Sequence, residues 1–262
     1  MCRLLGYLGS PLALERLLYQ PEHSLVVQSY QPREMTAGLM NADGFGVGWY
    51  RDRPQLEAFS YRSVLPIWND VNLPGLSRYV ESRCVLACVR SATPGLGLDI
   101  SNCQPFQQEN ILGVHNGFIQ NFRQTLYRPI RDRLHDSLYQ AIQGTTDSEH
   151  LFALVLHEWQ NQPDLGLGKA LHHALEQLSA WTKADKVTVS ANLIMSDGEQ
   201  LVACRFAANT AAPSLYYLSD DPQLPQAVLI ASEPLFPGNW QPCPENSILN
   251  VGADLDLHLW QR

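Results

Sequence analysis

Four places in this chain combine residue types that could do chemistry: Cys2, Arg90, the Asn116-Gly117 pair and Asp147. Cys2 sits directly behind the first methionine in Met1-Cys2-Arg3-Leu4-Leu5-Gly6-Tyr7. Chain ends usually fray, so this is a poor position for a core residue. With Met1 removed, Cys2 would carry a thiol and a free α-amino group with a pKa of about 8, a nucleophile and its base on one residue. The alternative is a small apolar residue that opens a strand over 2–8. Arg90 ends the apolar run Cys84 to Arg90 and is either a surface cap or a guanidinium aimed at a carboxylate. Asn116-Gly117 is the strongest short hairpin signal, but it could also offer a side-chain amide and a backbone N–H to a developing oxyanion. Asp147 lies in Thr146-Asp147-Ser148-Glu149, where a capping box explains it without any functional role.

The elements around these residues are partly legible. Pro11 to Gln20 has Leu12, Leu14, Leu17 and Leu18 at helical spacing, which predicts a short amphipathic helix. The segment 23–30 is expected as a strand or extended loop. In Phe45-Gly46-Val47-Gly48-Trp49 the large residues share one face and the glycines the other. Such a bare face suits either tight sheet packing or a ligand wall. The stretch 51–83 reads as loop-rich. Cys84 to Arg90 reads as a buried strand, with Cys84 and Cys88 as core thiols on one face. Ile111 to His115 is a strand that would turn at Asn116-Gly117. Helices are expected over 121–143, 147–160 and 168–181, the last with Leu171, Leu175, Leu178 and Trp181 along one stripe. Strands follow at 187–196, 201–206, 214–218, 227–232 and 255–260, with Asp197-Gly198 as a hairpin turn. Strands, then helices, then strands indicate an α+β layered fold in one domain, 1–262, rather than a βαβ repeat.

The 262 residues are 45% hydrophobic and 17% charged, with a net charge of -8. This balance argues against a nucleic-acid surface or an anionic membrane surface. No apolar stretch reaches the length of a membrane span, and no signal peptide is evident, so a cytoplasmic protein is expected. The six cysteines include no Cys-x-x-Cys pair and no zinc-like spacing, so no metal site is expected.

Five segments, in order, carry a resemblance: Met1-Cys2-Arg3-Leu4-Leu5-Gly6-Tyr7, 41–50, Val89-Arg90-Ser91-Ala92-Thr93, His115-Asn116-Gly117 and Thr145-Thr146-Asp147-Ser148-Glu149. Together they resemble the class II glutamine amidotransferases, which are N-terminal-nucleophile hydrolases. Ser232-Glu233-Pro234-Leu235 is in keeping with this. The resemblance implies a four-layer αββα sandwich, with Cys2 as nucleophile and Asn116 and Gly117 as the oxyanion site. It also implies Arg90 on the α-carboxylate and Asp147 on the α-ammonium of a γ-glutamyl group. Segments 25–29, 38–44 and 66–70 are further similar to the γ-glutamyl hydrolases of ergothioneine biosynthesis. The implied partner is a small γ-glutamyl substrate; no cofactor is implied, and a homo-oligomer is left open. Cys88 and Gln104 depart from the family pattern, which has histidine at both places, and neither is expected to touch the chemical residues. Trp49, Trp68 and the 51–83 stretch are candidates for the wall on the amine side. Two rivals remain: a glutaminase that feeds a separate synthase, and a non-catalytic binding module.

Overall fold

The computed structural model describes residues 1–51, 57–92 and 97–261. Along the chain run β1 (Arg3–Ala13), α1 (Glu15–Leu18), α2 (Leu25–Tyr30), β2 (Phe45–Arg51), β3 (Glu57–Ser63), α3 (Leu73–Tyr79) and β4 (Glu81–Val89). Next come β5 (Phe106–Gln108), β6 (Ile111–Ile119), α4 (Tyr127–Arg133), α5 (Asp136–Ala141), α6 (Asp147–Asn161) and α7 (Gly166–Asp185). The chain finishes with β7 (Val189–Ser196), β8 (Leu201–Ala208), β9 (Tyr216–Asp221), β10 (Leu224–Ala231), β11 (Gln241–Pro242), β12 (Ser247–Val251) and β13 (Leu257–Gln261).

Among the described residues the strands form two antiparallel sheets, ordered β11-β9-β10-β1-β4-β2-β3 and β13-β12-β8-β7-β6-β5. Strand residues alternate between faces, so each strand divides its apolar residues between two cores. Leu4, Leu8, Cys84, Leu86 and Cys88 of the first sheet meet Leu112, Val114, Ile194, Leu201 and Ala203 of the second in the inner core. Their neighbours Leu5, Tyr7, Val85 and Ala87 face outward under Leu17, Leu18, Leu25 and Leu73 of α1, α2 and α3. Val189, Ala191 and Leu193 lie under Phe152 of α6 and Leu171 and Leu175 of α7. This is the four-layer αββα sandwich. β4 is uninterruptedly apolar from Cys84 to Val89 because both its faces are covered there and both its edges are paired, by β1 and β2.

Several expected elements take another form. Pro11 to Ala13 extends β1 past a register shift and pairs with β4, leaving only Glu15–Leu18 helical. Sheet pairing there overrides the helical spacing, although Leu14, Leu17 and Leu18 keep their buried face. The 23–30 segment contains helix α2, started by Ser24, whose Oγ accepts from the Val27 N–H at 3.4 Å. The 51–83 stretch holds β3 and α3, with 52–56 outside the described residues. The 121–143 helix is two short ones, α4 and α5, and β5, β11 and β12 were not expected. Asn116-Gly117 is no turn: β6 runs straight through it to Ile119, paired with β7.

The glycine face of β2 resolves toward packing. A Cβ on Gly46 would stand 2.1 Å from the Gln104 carbonyl oxygen, and one on Gly48 2.9 Å from Pro105. The 104–105 backbone therefore crosses the bare face, and this crossing fixes Gln104 beside β6.

Candidate active site

Cys2 precedes β1 and packs against the inner core, on the same side as Leu4. Leu4 pairs with Cys88 in the β1–β4 register, and Arg3 with Val89, so the end of β4 lies alongside Cys2. The Cys2 thiol is lowered to about 6, first by a hydrogen bond from Cys88. Burial opposes this; the positive N-terminus, the Ser91 backbone N–H and the Arg90 guanidinium assist it. Cys88 moves the other way, well above its ordinary value, because it is buried beside that thiolate. The expectation that Cys88 is a plain core thiol, remote from the chemical residues, is thus corrected. Residues 84, 86, 88 and 90 share one strand face, so the position of Arg90 alone would have placed Cys88 there. Replacing Cys88 with alanine should raise the pH midpoint of Cys2 alkylation from its low value; rates of iodoacetamide labelling followed by intact mass would check this.

Met1 is held over this thiol. Its amine donates to the Ala37 carbonyl at 3.0 Å, and its Sδ accepts from Thr36 Oγ1 at 2.7 Å. Burial lowers the Met1 amine. While Met1 is attached, the nitrogen of Cys2 is an amide and not a base.

On the opposite face of β1, Arg3 is fully buried. Its Nε donates to the Cys2 carbonyl at 2.7 Å and its Nη1 to Glu233 Oε1 at 2.8 Å. Glu233 is also hydrogen-bonded to His23 Nε2 at 2.7 Å and accepts the N–H groups of Arg33 and Glu34 at 2.8 and 3.0 Å. Burial by itself would raise this carboxyl; His23, the two N–H groups and Arg3 outweigh it and bring Glu233 from 4.5 to about 2. A depressed carboxyl stabilises the fold above its unfolded pKa and ceases to as pH falls toward its folded one. That contribution is of order 3 kcal/mol. Wild-type melting temperature should therefore fall more steeply than that of Glu233→Gln between about pH 5 and pH 3, as calorimetry at both values would show.

Arg90 lies just past β4, with its backbone N–H on the Gly44 carbonyl at 2.8 Å and its carbonyl accepting from Asp43 at 3.0 Å. Nη1 donates to the Asp43 carbonyl at 3.1 Å. No other guanidinium hydrogen bond is made among the described residues, which leaves donors for a carboxylate.

Asn116 is on the inner face of β6, following Leu112 and Val114, and is completely buried. Neither its Nδ2 nor its Oδ1 has a hydrogen-bond partner among the described residues. A buried amide with both ends unmet costs roughly 1–3 kcal/mol per orphaned group. Gly117 owes its availability to the alternation of the ladder. Gln120 N–H, on the β7 side, reaches the Thr188 carbonyl, so odd-numbered N–H groups of this strand point to the opposite edge. There β5 pairs only as far as Gly113. His115 is held by the Gln104 side chain, whose Oε1 accepts its N–H and whose Nε2 donates to its carbonyl at 3.0 Å. The Ile119 N–H donates to Asp147 Oδ2 at 2.7 Å. Between these two, the Gly117 N–H faces an edge with no strand beside it among the described residues. Any side chain at 117 would collide with the Ser190 carbonyl oxygen, at 2.0 Å from a Cβ. Gln104, the second departure from the family pattern, thus acts on the neighbour of Asn116.

Asp147 is the first residue of α6, which Thr146 Oγ1 caps by accepting from the Glu149 N–H at 3.3 Å. Its oxygens accept from the N–H groups of Ile119 and Ser148, tying the helix to the end of β6. It does not hydrogen-bond to Cys2 or Arg90, so its place in the site comes through Ile119. Trp49 stacks on Phe59, centroids 6.2 Å apart, against the outer core, and Trp68 meets Tyr30 at 5.9 Å. No group of three or more His, Cys, Asp or Glu is placed to hold a metal among the described residues. Among them, too, no helix is long and apolar enough to cross a membrane. Cys2 and Arg90 thus meet at the end of the β1–β4 pair, and Asn116 lies on the inner face of the other sheet with its amide unpaired among the described residues.

The family of class II glutamine amidotransferases matches residues 1–223. The Saccharomyces cerevisiae protein named "Probable glutamine amidotransferase DUG3" is 31% identical over 96% of this chain and 82% of its own. A "Gamma-glutamyl-hercynylcysteine sulfoxide hydrolase" from Mycolicibacterium smegmatis is 32% identical over 96% of both. Among solved structures, a glutamine aminotransferase class-II domain protein from Silicibacter pomeroyi superposes with a TM-score of 0.71 at 28% identity, covering 99% of each chain. The phosphoribosylpyrophosphate amidotransferase of B. subtilis shares the fold over 49% of its length, with a TM-score of 0.67 and 15% identity. With the family match spanning most of its length, the chain belongs to the class II glutamine amidotransferases and is an amidohydrolase.

Proposed function

We propose that this protein hydrolyses the γ-glutamyl amide of a small substrate, with Cys2 as nucleophile once Met1 has been removed. Two observations support the reading: the Asn116 amide is buried with no partner among the described residues, and the Cys2 thiol is depressed. Cys2 Sγ attacks the γ-carbonyl carbon, and the resulting oxyanion takes hydrogen bonds from Asn116 Nδ2 and the Gly117 N–H. The freed α-amino group of Cys2 takes the thiol proton and gives it to the leaving amine as the oxyanion collapses, breaking the C–N bond to leave a γ-glutamyl thioester. Water then attacks the thioester, releasing glutamate and regenerating the thiol. Arg90 holds the α-carboxylate with its unused donors. Asp147 takes the α-ammonium, since each of its oxygens has spare acceptor capacity beyond its backbone N–H.

For the substrate we propose γ-glutamyl-hercynylcysteine S-oxide of ergothioneine biosynthesis, supported by the hydrolase relative matched over 96% of both chains. The yeast relative's name favours a second reading, a glutaminase acting with a separate synthase subunit. Protein shown by intact mass to lack Met1 would be offered the S-oxide and glutamine separately. Glutamate release from the S-oxide, without added protein, is the expected result. Release from glutamine alone, and only with a partner present, would sink the reading in favour of the second.

A further inference from the structure

The inner face of the second sheet changes character at one row. In the register of β6, β7 and β8, Val114 lies opposite Ile194 and Ile194 opposite Ala203, all three apolar and in the inner core. Two residues along, the row reads Asn116, Asn192 and Arg205. Asn192 is as completely buried as Asn116. Another apolar row would have packed this face without withdrawing two amides from water.

The Asn192 amide has a fixed sense. Its Nδ2 donates to the carbonyls of Pro213 and Ser214 at 3.1 and 3.0 Å, which takes up both of its hydrogens. Carbonyl oxygens cannot donate, so the amide cannot be turned over with its own oxygen toward them. Asn192 Oδ1 is left facing away from 213–214, buried and with no partner among the described residues. Across the strand pair are two more unmet atoms, Asn116 Nδ2 and Oδ1. Directly opposed residues carry their Cβ atoms about 4.5–5.5 Å apart, within reach of two short amides. An acceptor of fixed direction therefore sits beside an amide that no hydrogen bond holds. An asparagine so placed can offer its oxygen as readily as its nitrogen, and an oxygen aimed at a developing negative charge would raise the barrier.

We propose that Asn192 is a positioning residue for the oxyanion site: its Oδ1 accepts one hydrogen of Asn116 Nδ2 and so presents the other hydrogen, not Asn116 Oδ1, to the developing charge. The inference rests on the γ-glutamyl hydrolase reading and on Asn116 as its oxyanion donor. The two amides do not bond in the structure. A turn of the Asn116 amide about its last side-chain torsion, which is broad, closes the contact when a substrate carbonyl arrives. The 213–214 carbonyls then hold Asn192, Asn192 holds Asn116, and Asn116 meets the oxyanion.

The test uses protein lacking Met1, with γ-glutamyl-hercynylcysteine S-oxide as substrate, or glutamine if that alone is cleaved. Asn192→Ala should lower kcat about tenfold with KM little changed, the scale of one hydrogen bond realised in the transition state. Added to Asn116→Ala, the same change should alter kcat by less than about twofold, because the residue it acts through is gone. A purely structural role would remove the same factor in both backgrounds. Asn192→Ala also strips a donor from the Ser214 carbonyl, so a second measurement avoids it: a crystal structure of Cys2→Ala with the substrate bound. There Asn192 Oδ1 is expected about 2.7–3.2 Å from Asn116 Nδ2. Unaltered kcat in Asn192→Ala, equal losses in the two backgrounds, or a separation above about 3.5 Å with substrate in place overturns the inference while the hydrolase reading stands. Failure of the wild type to cleave any γ-glutamyl amide, glutamine included, overturns both.

Discussion

Replacing Cys2 with alanine lowers kcat/KM for glutamate release by at least about 10,000-fold, the scale seen when a covalent nucleophile is removed. The change deletes one sulfur at the rim of the inner core, and the Arg3 bond to the Cys2 carbonyl is untouched. Melting temperature should therefore move by no more than about 4 °C. Chains that retain Met1 should be as inactive as the alanine variant, because their residue-2 nitrogen is an amide. Separating the two forms by intact mass and assaying each would check this. Activity of Cys2→Ala within tenfold of wild type would remove Cys2 from the chemistry.

Asn116→Ala separates function from stability more sharply. Removing one oxyanion donor costs about 100–1,000-fold in kcat, with KM little changed because the charge arises only during reaction. The side chain nevertheless makes no hydrogen bond to the rest of the protein among the described residues. Its removal relieves two buried, unmet groups at the expense of a small void. Stability should therefore stay within about 1 kcal/mol of wild type or exceed it. Denaturant unfolding beside steady-state kinetics gives both numbers. A variant that loses several kcal/mol while keeping its kcat would mean that Asn116 serves the fold.

How much of this was legible in the sequence varied with the range of the interaction. β2 and β4 were readable because alternation and continuous apolarity act within one strand, and α7 because its leucine stripe does. Asn116-Gly117 misled as a turn because the hairpin signal is local, whereas what keeps β6 straight is pairing with β7 and the Gln104 clasp. Pro11 to Ala13 misled for the same reason, its helical spacing losing to pairing with β4. The ordered set of short segments brought Cys2, Arg90, Asn116, Gly117 and Asp147 to attention through resemblance. The groups that tune them were not visible. Cys88 acts across a strand pair, and Arg3 meets a carboxylate 230 positions away.

That last separation bears on when the protein becomes itself. Glu233 anchors Arg3 and the N–H groups of Arg33 and Glu34, and the strand before it, β10, flanks β1. All five residues proposed for the chemistry precede it, and the family match itself stops at 223. A ribosome that has made all five has therefore not yet supplied the counter-charge for Arg3 or the edge for β1. The 33–37 loop, which holds Met1 through Thr36 and Ala37, is thus anchored by a residue made after all of them.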